Sequence, residues 1–284
     1  MSLSISGENL SQTWGFAFQA LLAQPGAHCA NLFVAIENPL VEDPAIRNNL
    51  DAFLAARRKD NIDGKQPVQS IKTVANTIFP SAYYRPHLEG DARNHLYKLA
   101  KRSEEKRRGV SANRRGTYFD RLISWPGVGD TTALNQLELT VEKLRAYRQR
   151  STKTANNLEI SIEAPRDDLD AAHSLSVFRP EFDSKQLMGF PCLSHISFSL
   201  MNGRLHMAAV YRNHYFLRRA YGNYVGLARV LDFLSRESGW PTGELTCLST
   251  HATAELGKGK GFGKGNLTTL AKSCSPNDPR QCAA

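Results

Sequence analysis

Helical and strand-like apolar periodicities follow one another along this chain of 284 residues, and they predict an α/β (α+β) fold. Three observations carry the prediction. Amphipathic helices recur from the N-terminal third to Arg236, an alternating β-hairpin lies near residue 203, and 41% hydrophobic with 22% charged residues is the balance of a chain with a packed core.

Trp14, Phe18, Leu21 and Leu22 stand at helical spacing between Asn9 and Ala23, and Gln24-Pro25-Gly26 stops that helix. Leu32 to Ile36 is a strand ending at Asn38-Pro39. Ile46, Leu50, Phe53 and Leu54 mark a second helix, closed by Arg57-Arg58-Lys59. Asp60 to Gln69 is a polar loop. Residues 91–115 carry Arg93, Lys98, Lys101, Arg102, Lys106, Arg107, Arg108, Arg114 and Arg115, either a solvated helix face or a patch for a polyanion. Leu134, Leu137, Val141 and Leu144 place a helix over roughly 132–149, and Leu158, Ile160 and Ile162 alternate with polar residues as a strand. His195 to Leu200, the turn pair Asn202-Gly203, and Leu205, Met207, Ala209 and Tyr211 form the hairpin. A long helix runs from Tyr221 to Arg236, with a strand over Glu244 to Ser249 beyond Gly239-Trp240-Pro241. Residues 1–256 are expected to form a single domain, and 257–284, opening on alternating glycine and lysine, a flexible tail.

No run of eighteen apolar residues exists, which excludes a helical membrane span. Neither a cationic nor an apolar leader opens the sequence, and the five cysteines are odd in number and scattered, without CxxC spacing. A cytoplasmic protein with reduced thiols and no metal is expected. The formal net charge of +9 favours an anionic partner, leaving nucleotide, nucleic acid and acidic protein open.

One constellation carries chemistry. Pro191-Cys192 precedes the first hairpin strand, Arg212 follows the second, and Asn223 opens the next helix. Antiparallel pairing brings residues 192 and 212 to the same end of the ribbon. A thiolate nucleophile needs a cation to lower its pKa, and Arg212 could supply one. Taken singly, Cys192 reads equally as a packing cysteine, Arg212 as half of a surface ion pair and Asn223 as a helix cap.

The offsets 192, 212 and 223, set in the order strand, turn, strand, helix, resemble the central motif of the thymidylate synthase family, and Thr250-His251-Ala252-Thr253 looks like its Thr-His-x-Tyr segment. Tyr118 and Trp125 match a Tyr-x6-Trp pair upstream. The resemblance covers roughly 115–253. It implies a mixed sheet with flanking helices, dimerising through the sheet, and a one-carbon transfer, methyl or hydroxymethyl, to C5 of a pyrimidine nucleotide in nucleotide biosynthesis, with methylenetetrahydrofolate as donor. It further implies Cys192 as the nucleophile at C6, Arg212 on the phosphate, Asn223 on the base edge, His251 near the ring and Tyr118 beside the nucleophile. An amide complements uracil in one orientation and cytosine in the other, so Asn223 alone does not choose the base.

Departures accompany it. Asn156-Asn157 stand where family members carry two arginines for the partner subunit's phosphate, with Arg148, Arg150 or Lys153 as replacements a few residues upstream. Thr253 replaces a sugar-binding tyrosine, Tyr215 the aspartate that anchors the pterin, and Asn76 the proton-shuttling glutamate; an amide does not transfer protons at neutral pH. An alternative reading follows from these departures and the basic segments: a catalytically altered homologue that binds nucleotide or nucleic acid.

Overall fold

The computed structural model describes residues 2–58, 68–87, 92–107, 116–125, 133–149, 174–177, 191–257 and 262–275. The fold is mixed α/β, with helices flanking a sheet that contains both parallel and antiparallel pairs, as the periodicities predict. The chain divides into two compact units. One comprises Met1–Val74, Tyr211–Val225 and Glu244–Ala284, the other Ala75–Val210 and Gly226–Gly243.

In the first unit β1 (Leu3–Asn9) pairs parallel with β2 (His28–Asn38), which pairs antiparallel with β7 (Thr242–Thr253), joined in parallel by the short β6 (His214–Tyr215). Helix α1 (Leu10–Leu22) starts where the Asn9 side chain accepts a hydrogen bond from the Gln12 amide at 3.0 Å. Its Trp14 is fully buried, stacks on Phe18 with centroids 5.0 Å apart, and donates from Nε1 to the Phe216 carbonyl at 3.2 Å. Helix α2 (Pro44–Ala56) is capped by Asp43, which accepts from the Ala45 amide at 2.8 Å and the Ile46 amide at 3.2 Å. The expected strand over Glu244 to Ser249 extends through Thr253, so His251 sits on sheet rather than in a loop.

The second unit holds β3 (Ser174–Ser176), β4 (Leu193–Met201) and most of β5 (Arg204–Tyr211), in the order β5-β4-β3. Asn202 and Gly203 both have positive φ, 51° and 72°, the backbone that a two-residue hairpin turn requires. Helix α3 (Ile71–Ile78) crosses from the first unit into the second. Helix α4 (Ala92–Arg107) turns Leu96, Tyr97 and Ala100 inward and Lys98, Lys101 and Arg102 to solvent, while Arg93 bonds Glu138 and lies 3.4 Å from Glu237. Over these residues the basic run lies on an exposed helix face, which both readings of it require. Helix α5 (Tyr118–Ile123) opens on a Thr117–Asp120 capping box. Helix α6 (Gln136–Gln149) begins later than the spacing predicts, because Leu134 exchanges backbone hydrogen bonds of 2.7 and 2.8 Å with Trp125. Helix α7 (Tyr221–Ser238) begins in the first unit and continues in the second.

Within the segment expected to be a flexible tail, Lys264–Ser273 forms α8, which buries Leu267, Leu270 and Ala271. Apolar residues three and four apart outweigh the local glycine and lysine content there. Residues 60–67 of the polar loop, 108–115 of the basic run, the strand at 158–162, and Arg150, Lys153, Asn156 and Asn157 lie outside the described residues.

One packing constraint escapes sequence inspection. A Cβ on Gly226 of α7 would lie 2.8 Å from Ile78 Cβ and 2.9 Å from the Ala75 carbonyl oxygen, so α3 and α7 approach more closely here than any larger residue permits. Gly226→Ala is expected to lower stability by about 1–3 kcal/mol in urea denaturation, as overpacking does.

Candidate active site

Cys192 sits at the bend before β4, half-buried, and its amide donates to the Tyr118 hydroxyl at 3.2 Å. Tyr118 is the first residue of α5, and this bond places its hydroxyl beside the Cys192 backbone. Ser194 Oγ donates to the Val210 carbonyl at 3.1 Å, fixing the β4–β5 ladder. Cys192 lies two residues before that contact and Arg212 two residues after it. The other described cysteines are poor nucleophiles by contrast. Burial pushes the Cys247 thiol up to about 12 and Cys274 to about 11, and it also raises Cys29.

The first unit gathers a second set around β6 and β7. The Arg212 carbonyl accepts from Thr250 Oγ1 at 2.7 Å, which pins the backbone that carries the guanidinium. Next in sequence, Asn213 Oδ1 lies 2.9 Å from Nδ1 of the exposed His251. An amide oxygen only accepts, so His251 donates from Nδ1 and, when neutral, presents a lone pair at Nε2.

His214, which the sequence reading passed over, is the most constrained residue of the set. Its ring is buried, lies parallel to Tyr211 with centroids 4.2 Å apart, and meets the edge of Tyr224 at 5.7 Å. Its Nδ1 is 2.8 Å from Ser249 Oγ and its Nε2 is 3.0 Å from Asn223 Nδ2. The amide nitrogen of Asn223 has only protons to offer. Nε2 therefore accepts and Nδ1 carries the proton that goes to Ser249. Complete burial drives the His214 pKa down to about 3, so the ring is neutral at physiological pH. Asn223 is 5% exposed and makes no other side-chain hydrogen bond among the described residues. The signal available in sequence was a histidine two residues after Arg212 and flanked by aromatics, visible but without a spacing that names its partner.

Of the remaining expected site residues, Tyr215 on β6 pairs with Thr253 on β7, next to the His214–Ala252 pair. Asn76 on α3 accepts from Arg229 Nη1 at 3.2 Å. The guanidinium of Arg148 lies 5.6 Å from the Trp240 ring centre. Thr253 Oγ1 accepts from the Glu255 amide at 3.1 Å. Tyr215, 40% exposed, has the Arg218 guanidinium 5.2 Å from its ring centre, and Arg218 is held in turn by the buried Glu255 through its amide at 2.8 Å and its Nε. A phenol at this position supplies no carboxylate for a pterin, so the residue present does not fit the folate anchor that the resemblance implies.

No family model matches the chain. A protein of Methanocaldococcus jannaschii named "Putative thymidylate synthase" is 24% identical to it over 131 residues, which is 45% of this chain and 50% of that protein. The chain thus spans about half the length of the curated relative it matches. The similarity suggests a distant likeness to thymidylate synthases. Among the described residues no helix is long and apolar enough to cross a membrane, and no cluster of three or more His, Cys, Asp or Glu could hold a metal ion.

Two predictions follow from these geometries. Iodoacetamide near pH 7.5 is expected to label Cys192 well ahead of Cys29, Cys247 and Cys274, as read by peptide mass mapping. An unfolded histidine takes up a proton as the pH falls through about 6.5, whereas folded His214 stays neutral until about 3. The contribution of this group to stability is therefore full above pH 6.5 and declines by about 1.4 kcal/mol per pH unit between those values. Urea titrations of His214→Phe are expected to lack that slope.

Proposed function

We propose that the chain binds a pyrimidine nucleotide and transfers a one-carbon group to C5 of its ring in the manner of a thymidylate synthase, with Cys192 as the nucleophile. The observation that carries this reading is the chemistry found in the register 192, 212, 223. It consists of a half-buried reduced thiol, an arginine whose backbone is pinned by Thr250, and an amide oriented by a buried neutral histidine. The distant likeness to the archaeal protein supports the same reaction class.

In this reading the thiolate Sγ adds to C6, and the electron pair of the C5–C6 double bond moves onto C5 and O4. C5 then attacks a methylene iminium, a one-carbon electrophile at the formaldehyde oxidation level, forming C5–CH2–N. Loss of the C5 proton to a base, with departure of the amine carrying the C–N electron pair, leaves an exocyclic methylene. Water adds there to give a hydroxymethyl product, or a separate hydride donor such as a dihydronicotinamide gives a methyl product, and the returning pair expels the thiolate from C6. Arg212 holds the phosphate by charge-assisted hydrogen bonds. Tyr118 anchors the backbone of the nucleophile through its bond to the Cys192 amide, and Asn223 meets the base edge. His251 offers Nε2 toward the ring. No step is routed through folate, because Tyr215 does not match its anchor. Asn76 moves no proton, and Thr253 keeps a hydroxyl for the sugar. Pairing of two copies through the sheet, with Arg148 or Arg150 reaching the partner's nucleotide, belongs to the same proposal.

Incubation with 5-fluoro-dUMP and 5-fluoro-dCMP is expected to give a covalent adduct on Cys192, read by intact mass, that Cys192→Ala abolishes. Arg212→Ala is expected to weaken nucleotide binding by roughly 10- to 100-fold. No adduct and no binding with any pyrimidine nucleotide would overturn the reading.

A further inference from the structure

We infer that His214 is the residue that makes Asn223 read one pyrimidine base rather than two. This inference rests on the proposed nucleotide-binding role of Asn223.

A primary amide has one edge that offers an oxygen acceptor beside an N–H donor. That edge complements the N3–H and O4 of uracil. Turned over, it complements the N3 and N4–H2 of cytosine equally well. A freely turning amide therefore accepts both bases, and discrimination requires something that holds it. His214 is so placed. Its Nε2 takes one proton of Asn223 Nδ2 at 3.0 Å, which leaves Oδ1 and the second Nδ2 proton for a ligand.

The hold is stiff because the ring cannot adapt cheaply. Reversing the amide would set Asn223 Oδ1 against the Nε2 lone pair. Relief would require the ring proton to move from Nδ1 to Nε2, and Nδ1 would then need a donor. Ser249 Oγ is its partner at 2.8 Å, and its hydroxyl would have to turn from accepting the Nδ1 proton to donating to Nδ1 in the same event. Ring rotation is blocked by the parallel stack on Tyr211 and the edges of Tyr224 and Phe216. Protonating the ring would let Nε2–H donate to the reversed amide's Oδ1, but it would place a charge in a fully buried position, which burial of this ring strongly disfavours. Amide orientation, ring tautomer and serine hydroxyl thus move together or not at all. His214 acts through Asn223 and is a positioning residue.

The experiment measures dUMP and dCMP binding by calorimetry to the full chain and four variants, with the ratio of the two dissociation constants as readout. The native chain is expected to prefer one base by on the order of 10- to 100-fold, the range of a good bidentate contact. His214→Phe keeps an aromatic ring on Tyr211 but no acceptor, and should bring the ratio to within about threefold. His214→Gln, whose carbonyl oxygen can accept the Asn223 proton, should restore the preference. Ser249→Ala, which leaves the ring and its stack intact, should relax the ratio partly and keeps the test open if His214→Phe does not fold. Asn223→Ala should lose the preference altogether.

If the native chain prefers one base and both His214→Phe and Ser249→Ala retain that preference, the inference fails while the nucleotide reading stands. If the native chain binds both bases equally, the inference also fails alone. If it binds neither, both fall together.

Discussion

A neutral imidazole sealed between a serine and an asparagine is the constraint around which the candidate site is built. His214 is 1% exposed and meets no charged group among the described residues, so its burial is tolerable only while both nitrogens are matched by partners of the right kind. Ser249 on β7, Asn223 on α7 and His214 on β6 are brought to one another by the pairing of β6 with β7 and by the π-helical turn Phe216–Ala220 that delivers the chain into α7. Displacing any of the three would leave a buried polar atom without a partner. The Asn223 amide is therefore set by the interior of the fold and not by a loop that ligands could reshape.

The neighbouring residues serve the same end from the surface. Thr250 fixes the Arg212 carbonyl and Asn213 fixes the His251 ring, so three consecutive residues, 212 to 214, each meet a partner on or beside β7. Burial affects the cysteines in the opposite sense. It disfavours the thiolates of Cys29, Cys247 and Cys274, whereas Cys192 is the described cysteine that is not fully buried.

Much of the fold was legible in sequence because its signals are periodic. The hairpin turn at Asn202-Gly203, the helix bearing Trp14, and the strand and helix of residues 204–238 stand where apolar spacing puts them. What was hidden depends on contacts distant in sequence. The helix at Lys264–Ser273 is masked by glycine and lysine and formed through three apolar residues. The late start of α6 follows from a bridge between Leu134 and Trp125. The close approach at Gly226 becomes visible only when α3 is set beside it. In the candidate site, the spacing of residues 192, 212 and 223 could be read directly, whereas the bond from the Cys192 amide to the Tyr118 hydroxyl joins residues 74 apart. His214 and Ser249 were missed because a histidine and a serine 35 residues apart have no shared pattern until the strands are paired.

Long-range nitrogen-15 NMR of the uniformly labelled protein across pH 4.5 to 8 tests this account most directly, since it reads the protonation of each His214 ring nitrogen. The account predicts a neutral ring with its proton on Nδ1, unchanged over the whole range. A proton on Nε2, or a titration near pH 6.5, would contradict it.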